Sequence, residues 1–206
     1  MCGRYVVTNA VTKTNKLVKS AIQVEDKENY NAHPYQKLPV IKKYKNGNTL
    51  ENLKWGIVPG WTKKKDFKAL INARLETIDE KISFKNLIKL HRCVAVADGF
   101  YEWKREEKNK IPYYFLREDK KNIYMAGIYE NNEFCLITEK ANSKVSEIHN
   151  RQPVILNESD VNRYLNLEFS GSAFLKECNR TNLSFYEISK EVNKPNNNSI
   201  SLIQPK

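Results

Sequence analysis

The sequence lacks long hydrophobic runs. No stretch of apolar residues approaches the ~20 residues that a membrane-spanning helix needs. No apolar segment follows Met1, so the sequence predicts no secretory signal. Hydrophobic residues make up 40% and aromatic residues 11% of the 206 positions, which predicts a folded globule and not a disordered chain. We therefore expect an intracellular protein without membrane contacts.

Several common enzyme motifs are also absent. There is no glycine-rich phosphate loop, no Gly-x-Ser-x-Gly elbow and no His-Glu-x-x-His pattern. The four cysteines, Cys2, Cys93, Cys135 and Cys178, stand far apart, whereas zinc ligands come in closely spaced pairs. We therefore expect no metal ion and no cofactor.

Positive charge is concentrated in the first half of the chain. The formal net charge is +11; residues 1–95 hold 19 Lys and Arg against 8 Asp and Glu, whereas residues 96–206 hold 16 of each. A one-sided excess of this kind is typical of a face that binds a polyanion. The alternative is that the lysines merely keep the protein soluble.

Predicted strands outnumber predicted helices. Residues 8–22 carry apolar side chains at helical spacing and predict an amphipathic helix. Apolar or alternating segments predict strands at 93–104, 111–118, 122–130 and 133–141. We expect one α+β domain over residues 1–206, built on a curved, barrel-like, mainly antiparallel sheet with short peripheral helices.

Cys2 is one cleavage away from being the first residue. Aminopeptidases remove an initiating Met when the next residue is small, and removal of Met1 leaves an α-amine and a thiol on adjacent carbons. Their ordinary pKa values, about 8 and about 8.5, keep part of each group nucleophilic near neutral pH. An aldehyde forms a Schiff base with such an amine, and the thiol then closes on the same carbon to give a thiazolidine. Arg4 adds a permanent positive charge that suits a phosphate.

Glu102 is a polar residue in an apolar strand. It has the same parity as Val94, Val96 and Phe100, so a regular strand places its carboxyl group on the apolar side. Burial raises the pKa of a carboxyl group and allows it to donate a proton near neutral pH. The alternative is that Gly99 forms a bulge that turns Glu102 towards solvent.

Two other segments carry polar residues at strand spacing. Asn72 and Arg74 share the polar side of the predicted strand over 69–78. His149 and Arg151 are also two residues apart, so an extended backbone projects both side chains in the same direction.

Four motifs together resemble one protein family. They are MCGRY at the start, NARLET at 72–77, DGFYEW at 98–103 and HNRQPVIL at 149–156, with WGIVPGW and LIQP in support. In this order they resemble the SRAP (SOS response-associated peptidase) family, the abasic-site processing proteins. The resemblance covers essentially the whole chain and implies an α+β domain on a barrel-like sheet.

The resemblance also implies an enzymatic function. It implies a protein that binds single-stranded DNA and traps abasic sites, with Cys2 forming a thiazolidine with the ring-opened sugar aldehyde. The family's catalytic Asn, Glu and His match Asn72, Glu102 and His149. Asn72 would hold the amine or sugar, Glu102 would transfer protons, and His149 would assist the Schiff-base chemistry.

DNA contacts follow from the same motifs. Arg4, Arg74 and Arg151 match family arginines that grip the phosphates beside the lesion. Trp61 is a candidate for stacking on a base, with packing beneath the sheet as the alternative. Gln152 replaces the methionine that is usual in the family.

Two other functions stay open at this point. One is an autoproteolytic cysteine peptidase that acts on its own N-terminus, as the family name suggests. The other is a non-catalytic module for single-stranded DNA in which Cys2 is incidental. For the trapping function we expect a cytoplasmic monomer, of bacterial or phage type, that associates with the nucleoid when bound to abasic DNA.

Overall fold

Strands dominate the computed structural model, which describes residues 2–45, 47–64, 66–107 and 109–206. The strands within these residues are β1 (Tyr5–Val7), β2 (Ser20–Ile22), β3 (Asn29–Ala32), β4 (Lys37–Tyr44), β5 (Gly47–Trp55), β6 (Asn72–Arg74), β7 (Arg92–Ala97), β8 (Gly99–Glu106), β9 (Asn109–Arg117), β10 (Ile123–Glu130), β11 (Glu133–Lys140), β12 (Arg151–Pro153), β13 (Ile155–Leu156) and β14 (Leu183–Glu187). The α-helices are α1 (Ala10–Thr14), α2 (Leu87–Leu90), α3 (Ser143–Ser146), α4 (Glu158–Leu165) and α5 (Gly171–Glu177), and 3₁₀ helices cover Leu75–Thr77, Lys190–Asn193 and Ile200–Ile203.

Two sheets build the fold. The five-stranded sheet has the order β14-β9-β8-β1-β3 and is antiparallel throughout. The nine-stranded sheet follows the order β12-β11-β10-β7-β4-β5-β2, with β13 on β10 and β6 on β11. Parallel pairing of β11 with β5 closes the path β5-β4-β7-β10-β11 into a ring. The predicted α+β fold with a curved, barrel-like sheet is therefore confirmed.

The five-stranded sheet is buried on both faces. Side chains of its inner face join the main core between the sheets, among them Tyr5, Phe100 and Phe115. Side chains of its outer face pack in a second cluster, where the C-terminal residues Ile188, Val192 and Leu202 cover Val6, Tyr101 and Tyr114. The period-two alternation of strands produces this division. The C-terminal segment thus forms a third layer of the molecule.

Glu102 follows the alternation of β8 and falls on the inner face. Its side chain is buried, with 3% of the residue exposed. The pairing of β8 with β9 is regular from Phe100 opposite Phe115 to Glu106 opposite Asn109. The predicted burial of Glu102 is confirmed, and the alternative of a bulge at Gly99 is wrong. The single strand predicted over 93–104 is also wrong, because the chain bends at Asp98 and continues as β8 in the other sheet.

The helix predicted over residues 8–22 is largely wrong. α1 covers five of these residues, and the last three form β2, which pairs in parallel with β5. Asp26 accepts hydrogen bonds from the backbone N–H groups of Val11 and Thr12, at 2.6 and 3.2 Å, and so caps α1 from outside. Tertiary hydrogen bonds and the pairing with β5 therefore outweigh helical periodicity over this segment.

Gly99 begins β8 at a point where β9 leaves no room for a side chain. A Cβ atom at this position collides with the backbone oxygen of Phe115 and with the ring of Tyr114. Gly99→Ala is therefore expected to lower the free energy of unfolding by about 2–3 kcal/mol, as overpacking against backbone does. Urea unfolding monitored by circular dichroism measures this change. Gly60→Ala is the matched control, since its nearest neighbour is Glu130 Oε1 at 3.9 Å; equal losses in both variants contradict the prediction.

Candidate active site

Cys2 lies just before β1 and is fully buried. Burial raises the pKa of its thiol well above the usual value, and the nearby charge of Glu102 raises it further. The thiol is therefore protonated at neutral pH, and Sγ lies 3.9 Å from the carbonyl oxygen of Arg4. Attack by this sulfur requires a base that accepts its proton.

Asn72 lies beside Cys2. Its position at the start of β6 is fixed by parallel pairing with β11, where it stands opposite Leu136. Asn72 Nδ2 donates a 2.9 Å hydrogen bond to the carbonyl oxygen of Cys2. Asn72 Oδ1 is buried and accepts no hydrogen bond from any residue that the structure describes. A buried acceptor next to Cys2 suits an N–H group of an amine or of a bound substrate.

Glu102 and His149 form the second pair of the site. Glu102 Oε2 lies 4.0 Å from His149 Nδ1. Burial is the main cause that raises the pKa of Glu102 to about 7. At neutral pH this carboxyl group is therefore present in both protonated and ionised forms, and it can donate or accept a proton.

His149 is positioned by Arg151, two residues further along the chain. The Arg151 backbone N–H donates to His149 Nδ1 at 3.1 Å, and the Arg151 carbonyl oxygen lies at the same distance from Nδ1. A ring with its proton on Nε2 accepts from the N–H group, whereas a ring that carries a proton on Nδ1 donates to the carbonyl oxygen. Burial lowers the pKa of His149, so the neutral ring predominates at pH 7.

A basic groove opens at Glu102 and His149. One cavity of about 370 Å³ is lined by Glu102, Trp103, Arg105, Lys110, His149 and Asn193. A neighbouring cavity of about 490 Å³ shares Trp103, Arg105 and His149 with it. We call this surface, defined by the six residues of the first cavity, the Glu102 groove.

Arg105 and Lys110 are exposed groove residues that the sequence analysis missed. They stand directly opposite each other in the β8–β9 pairing. Like charges in this position repel each other and destabilise the strand pair, whereas a bound anion reverses that effect. That Arg105 and Lys110 face each other depends on the register of the β8–β9 hairpin, which the sequence alone does not determine.

Two negative findings concern the residues that the structure describes. Within them, no group of three or more His, Cys, Asp or Glu side chains is arranged to hold a metal ion. No helix in this part of the chain is long and apolar enough to cross a membrane. Met1 lies outside the described residues, so its removal stays a prediction.

Comparison with known proteins identifies the family. The family model described as SOS response associated peptidase (SRAP) matches residues 1–195. The chain belongs to the SRAP family. It is 32% identical to the abasic site processing protein YoqW of Bacillus subtilis, over 99% of each chain. It is 30% identical to the abasic site processing protein YedK of Escherichia coli, over the full length of both.

The fold is shared with solved structures. A protein from Bacteroides thetaiotaomicron has a TM-score of 0.84 with this chain and 24% identity, over the full length of both. A phage-related protein from Bordetella bronchiseptica has a TM-score of 0.76 and 22% identity, over 92% of this chain and 95% of the other. These likenesses show that the two-sheet SRAP fold is common to all three proteins.

The arginines that match SRAP motifs differ in their surroundings. Arg74 is exposed at the end of β6. Arg151 forms a bidentate ion pair with Glu76, at 2.7 and 3.0 Å, and donates to the Thr138 carbonyl oxygen at 2.7 Å. Arg4 lies on the outer face of the five-stranded sheet, where its guanidinium donates to Asn31 Oδ1 and to the carbonyl oxygen of Val192. Phosphate binding by these three SRAP residues stays a prediction.

Trp61 lies in the loop between β5 and β6. It is 56% exposed, and its ring is edge-on to Phe67 at a centroid distance of 6.2 Å. This exposure does not fit packing beneath the sheet. Stacking on a base stays a prediction for this SRAP residue.

Proposed function

We propose that this protein traps abasic sites in single-stranded DNA as a thiazolidine formed by Cys2 after Met1 has been removed. The observation that carries the proposal is the buried Cys2, hydrogen-bonded through its carbonyl oxygen to Asn72 and close enough to Glu102 for that charge to raise the thiol pKa. The relatives that carry the name abasic site processing protein support DNA damage processing as the setting.

The reaction balances without an oxidant or a reductant. The amine nitrogen of Cys2 attacks the aldehyde carbon of the ring-opened sugar, and the resulting hydroxyl group leaves as water to give a Schiff base. The sulfur then bonds to the same carbon, and the C=N electron pair moves to nitrogen. Nitrogen takes up the proton that sulfur gives up, so one water molecule is released overall.

Glu102 supplies both proton transfers. In its protonated form it donates to the departing hydroxyl group, and in its ionised form it accepts the proton of the Cys2 thiol. A carboxyl group with a pKa of about 7 is available in both forms at neutral pH. Asn72 holds Cys2 in place, and neutral His149, 4.0 Å from Glu102, is positioned to exchange a proton with it.

Basic side chains are expected to bind the phosphates of the DNA backbone. Arg105 and Lys110 line the Glu102 groove, and Arg74 is exposed at the end of β6, which begins at Asn72. Neutralised phosphates release counterions, so we expect affinity for single-stranded DNA to fall steeply with salt. The lesion has no base to read, and affinity is therefore expected to be independent of sequence.

Three oligonucleotides test the proposal. The untagged protein, with loss of Met1 verified by intact mass, is mixed with single-stranded DNA that contains one abasic site. The two controls are the same DNA after borohydride reduction of the aldehyde, and DNA with an intact base. We expect a covalent band on a denaturing gel with the aldehyde alone, at the summed mass of both partners less one water.

The other results distinguish the alternatives. Non-covalent binding to all three DNAs without an adduct indicates a binding module in which Cys2 is incidental. Removal of the N-terminal residue by the purified protein itself, with no adduct, indicates an autoproteolytic peptidase. An adduct with the reduced site excludes aldehyde chemistry.

Glu76 restrains Arg151, which would otherwise be free to bind phosphate. Glu76→Gln removes the carboxylate charge, so the bidentate ion pair with Arg151 becomes a weaker neutral hydrogen bond. Because Arg151 is then less restrained, affinity for single-stranded DNA is expected to rise about two- to fivefold. Fluorescence anisotropy at two salt concentrations measures the change. Asp79→Asn, which removes the exposed partner of Lys176, is the matched control. An equal gain in both variants assigns the effect to net charge and not to Arg151.

A further inference from the structure

The C-terminal segment is fastened to the outer face of the five-stranded sheet by Arg4. Arg4 Nη1 donates to Asn31 Oδ1 at 2.5 Å and to the carbonyl oxygen of Val192 at 2.8 Å. Val192 is fully buried in the 3₁₀ helix Lys190–Asn193. Arg4 is two residues from Cys2 in sequence, yet its guanidinium is bound to the C-terminal segment, which covers the outer face of the sheet.

Asn31 completes this attachment. It is 1% exposed, and its Nδ2 lies 3.0 and 2.9 Å from the carbonyl oxygens of Lys194 and Asn197. Its Oδ1 accepts from Arg4. A buried amide that is satisfied on both sides holds a segment in one register. Arg4 and Asn31 therefore fix the backbone on both sides of Asn193.

Asn193 connects this layer to the Glu102 groove. Its Oδ1 accepts a 2.8 Å hydrogen bond from Trp103 Nε1. Both residues line the groove with Glu102 and His149. Indole has a single N–H donor, so the position of its acceptor decides how the ring is turned. Trp103 follows Glu102 directly in β8; their side chains leave the strand on opposite faces, but both line this one cavity.

We propose that Asn193 is a positioning residue, which holds the Trp103 indole as a wall of the Glu102 groove, and that Arg4 serves to fix the segment that carries Asn193. This inference rests on the proposed function. Trp103 contacts the bound sugar and screens Glu102 from water on one side, while Asn193 acts through Trp103. Arg4 acts through Asn193 and not on a phosphate.

A double-mutant cycle tests the link between Asn193 and Trp103. Single-turnover trapping rates are measured at saturating abasic DNA for the untagged wild type, Asn193→Leu, Trp103→Phe and the double variant. Asn193→Leu is expected to slow trapping about fivefold, as loss of one neutral hydrogen bond does. The double variant is expected to be no slower than Trp103→Phe alone, because the second change removes nothing further.

Two matched variants separate positioning from a general effect. Asn193→Asp keeps an acceptor for the indole N–H and is expected to restore most of the wild-type rate. Asn196→Leu makes the same change at an exposed neighbour and is expected to leave the rate unchanged. Effects that add in the cycle, or an Asn193→Leu rate equal to the wild type, overturn the inference.

A spectroscopic readout is independent of trapping. With 5-fluorotryptophan, the ¹⁹F resonance of Trp103 is expected to move in Asn193→Leu and, in the same direction, in Arg4→Met. If Arg4→Met instead weakens DNA binding without moving this resonance, Arg4 is a phosphate ligand and its part of the inference is wrong. If the wild type forms no adduct, the proposed function fails, while the resonance still decides whether Asn193 positions Trp103.

Discussion

Cys2→Ala is expected to eliminate the covalent adduct with abasic DNA, a loss of at least about 10³-fold, as removal of a catalytic nucleophile produces. The α-amine remains in this variant and forms a Schiff base, but no sulfur is present to close the ring. Such a Schiff base hydrolyses under denaturing conditions. The measurement is the fraction of oligonucleotide retained with the protein on a denaturing gel, with non-covalent affinity determined separately by anisotropy.

Cys178 provides the matched control for Cys2. It is the one free cysteine of the described residues that is not buried, so it is the most accessible alternative thiol. Cys178→Ala is expected to trap as the wild type does. An uncleavable extension before Met1 is expected to abolish trapping while DNA binding persists, because the amine becomes an amide. A band that survives in Cys2→Ala assigns the reaction to another nucleophile.

Glu102→Gln is expected to slow trapping by about 10²- to 10⁴-fold, the range that a positioned acid-base group contributes. The wild-type rate is expected to fall above about pH 7, where the protonated form of Glu102 is lost. The rate also falls at low pH, where the amine is protonated, so the profile has a maximum. His149 and Cys2 face the same carboxyl group, and the fall near pH 7 is assigned to Glu102 only if Glu102→Gln lacks it.

The same substitution is expected to stabilise the protein. The pKa of Glu102 rises from 4.5 to about 7 on folding, so the folded state binds this proton more tightly than the unfolded state. The contribution of Glu102 to the free energy of unfolding therefore falls as the pH rises from 4.5 to 7, by roughly 3 kcal/mol in total. Glutamine carries no charge, so Glu102→Gln is expected to be more stable at pH 8 and about equal at pH 4. Urea unfolding of the wild type and of Glu102→Gln at pH 4 and pH 8 measures these differences. If the variant is less stable than the wild type at pH 8, the raised pKa of Glu102 is contradicted.

Side-chain parity within β8 accounts for the environment of Glu102, because regular pairing with β9 keeps Glu102 on the same face as Phe100. The parity shared with Val94 and Val96 does not carry over, because the chain bends at Asp98 and β7 belongs to the other sheet. Parity was not enough for residues 8–22. The helix there depends on Asp26 and on the neighbouring strand β5, and neither partner is visible in the local pattern.

The partners of the arginines could not be predicted from the motifs. Arg4 is close to Cys2 along the chain, but its hydrogen bonds go to Asn31 and Val192, 27 and 188 residues away. The contact between Trp103 and Asn193 spans 90 residues in the same way. Contacts of this range depend on how the layers pack, which local patterning does not specify. The burial of Glu102 was therefore predictable from the sequence, whereas the residues that hold the candidate site in place were not.

The place of β1 in the sheet has a consequence for biosynthesis. β1 pairs with β8, a strand that leaves the ribosome about a hundred residues later. At about 5 to 20 residues per second this interval is on the order of 5 to 20 s, during which the nascent terminus cannot yet occupy its final place. Cys2 is fully buried in the folded protein, whereas the nascent terminus is open to an aminopeptidase throughout this interval. The timing of synthesis, together with enzyme specificity, is therefore expected to affect what fraction of molecules loses Met1.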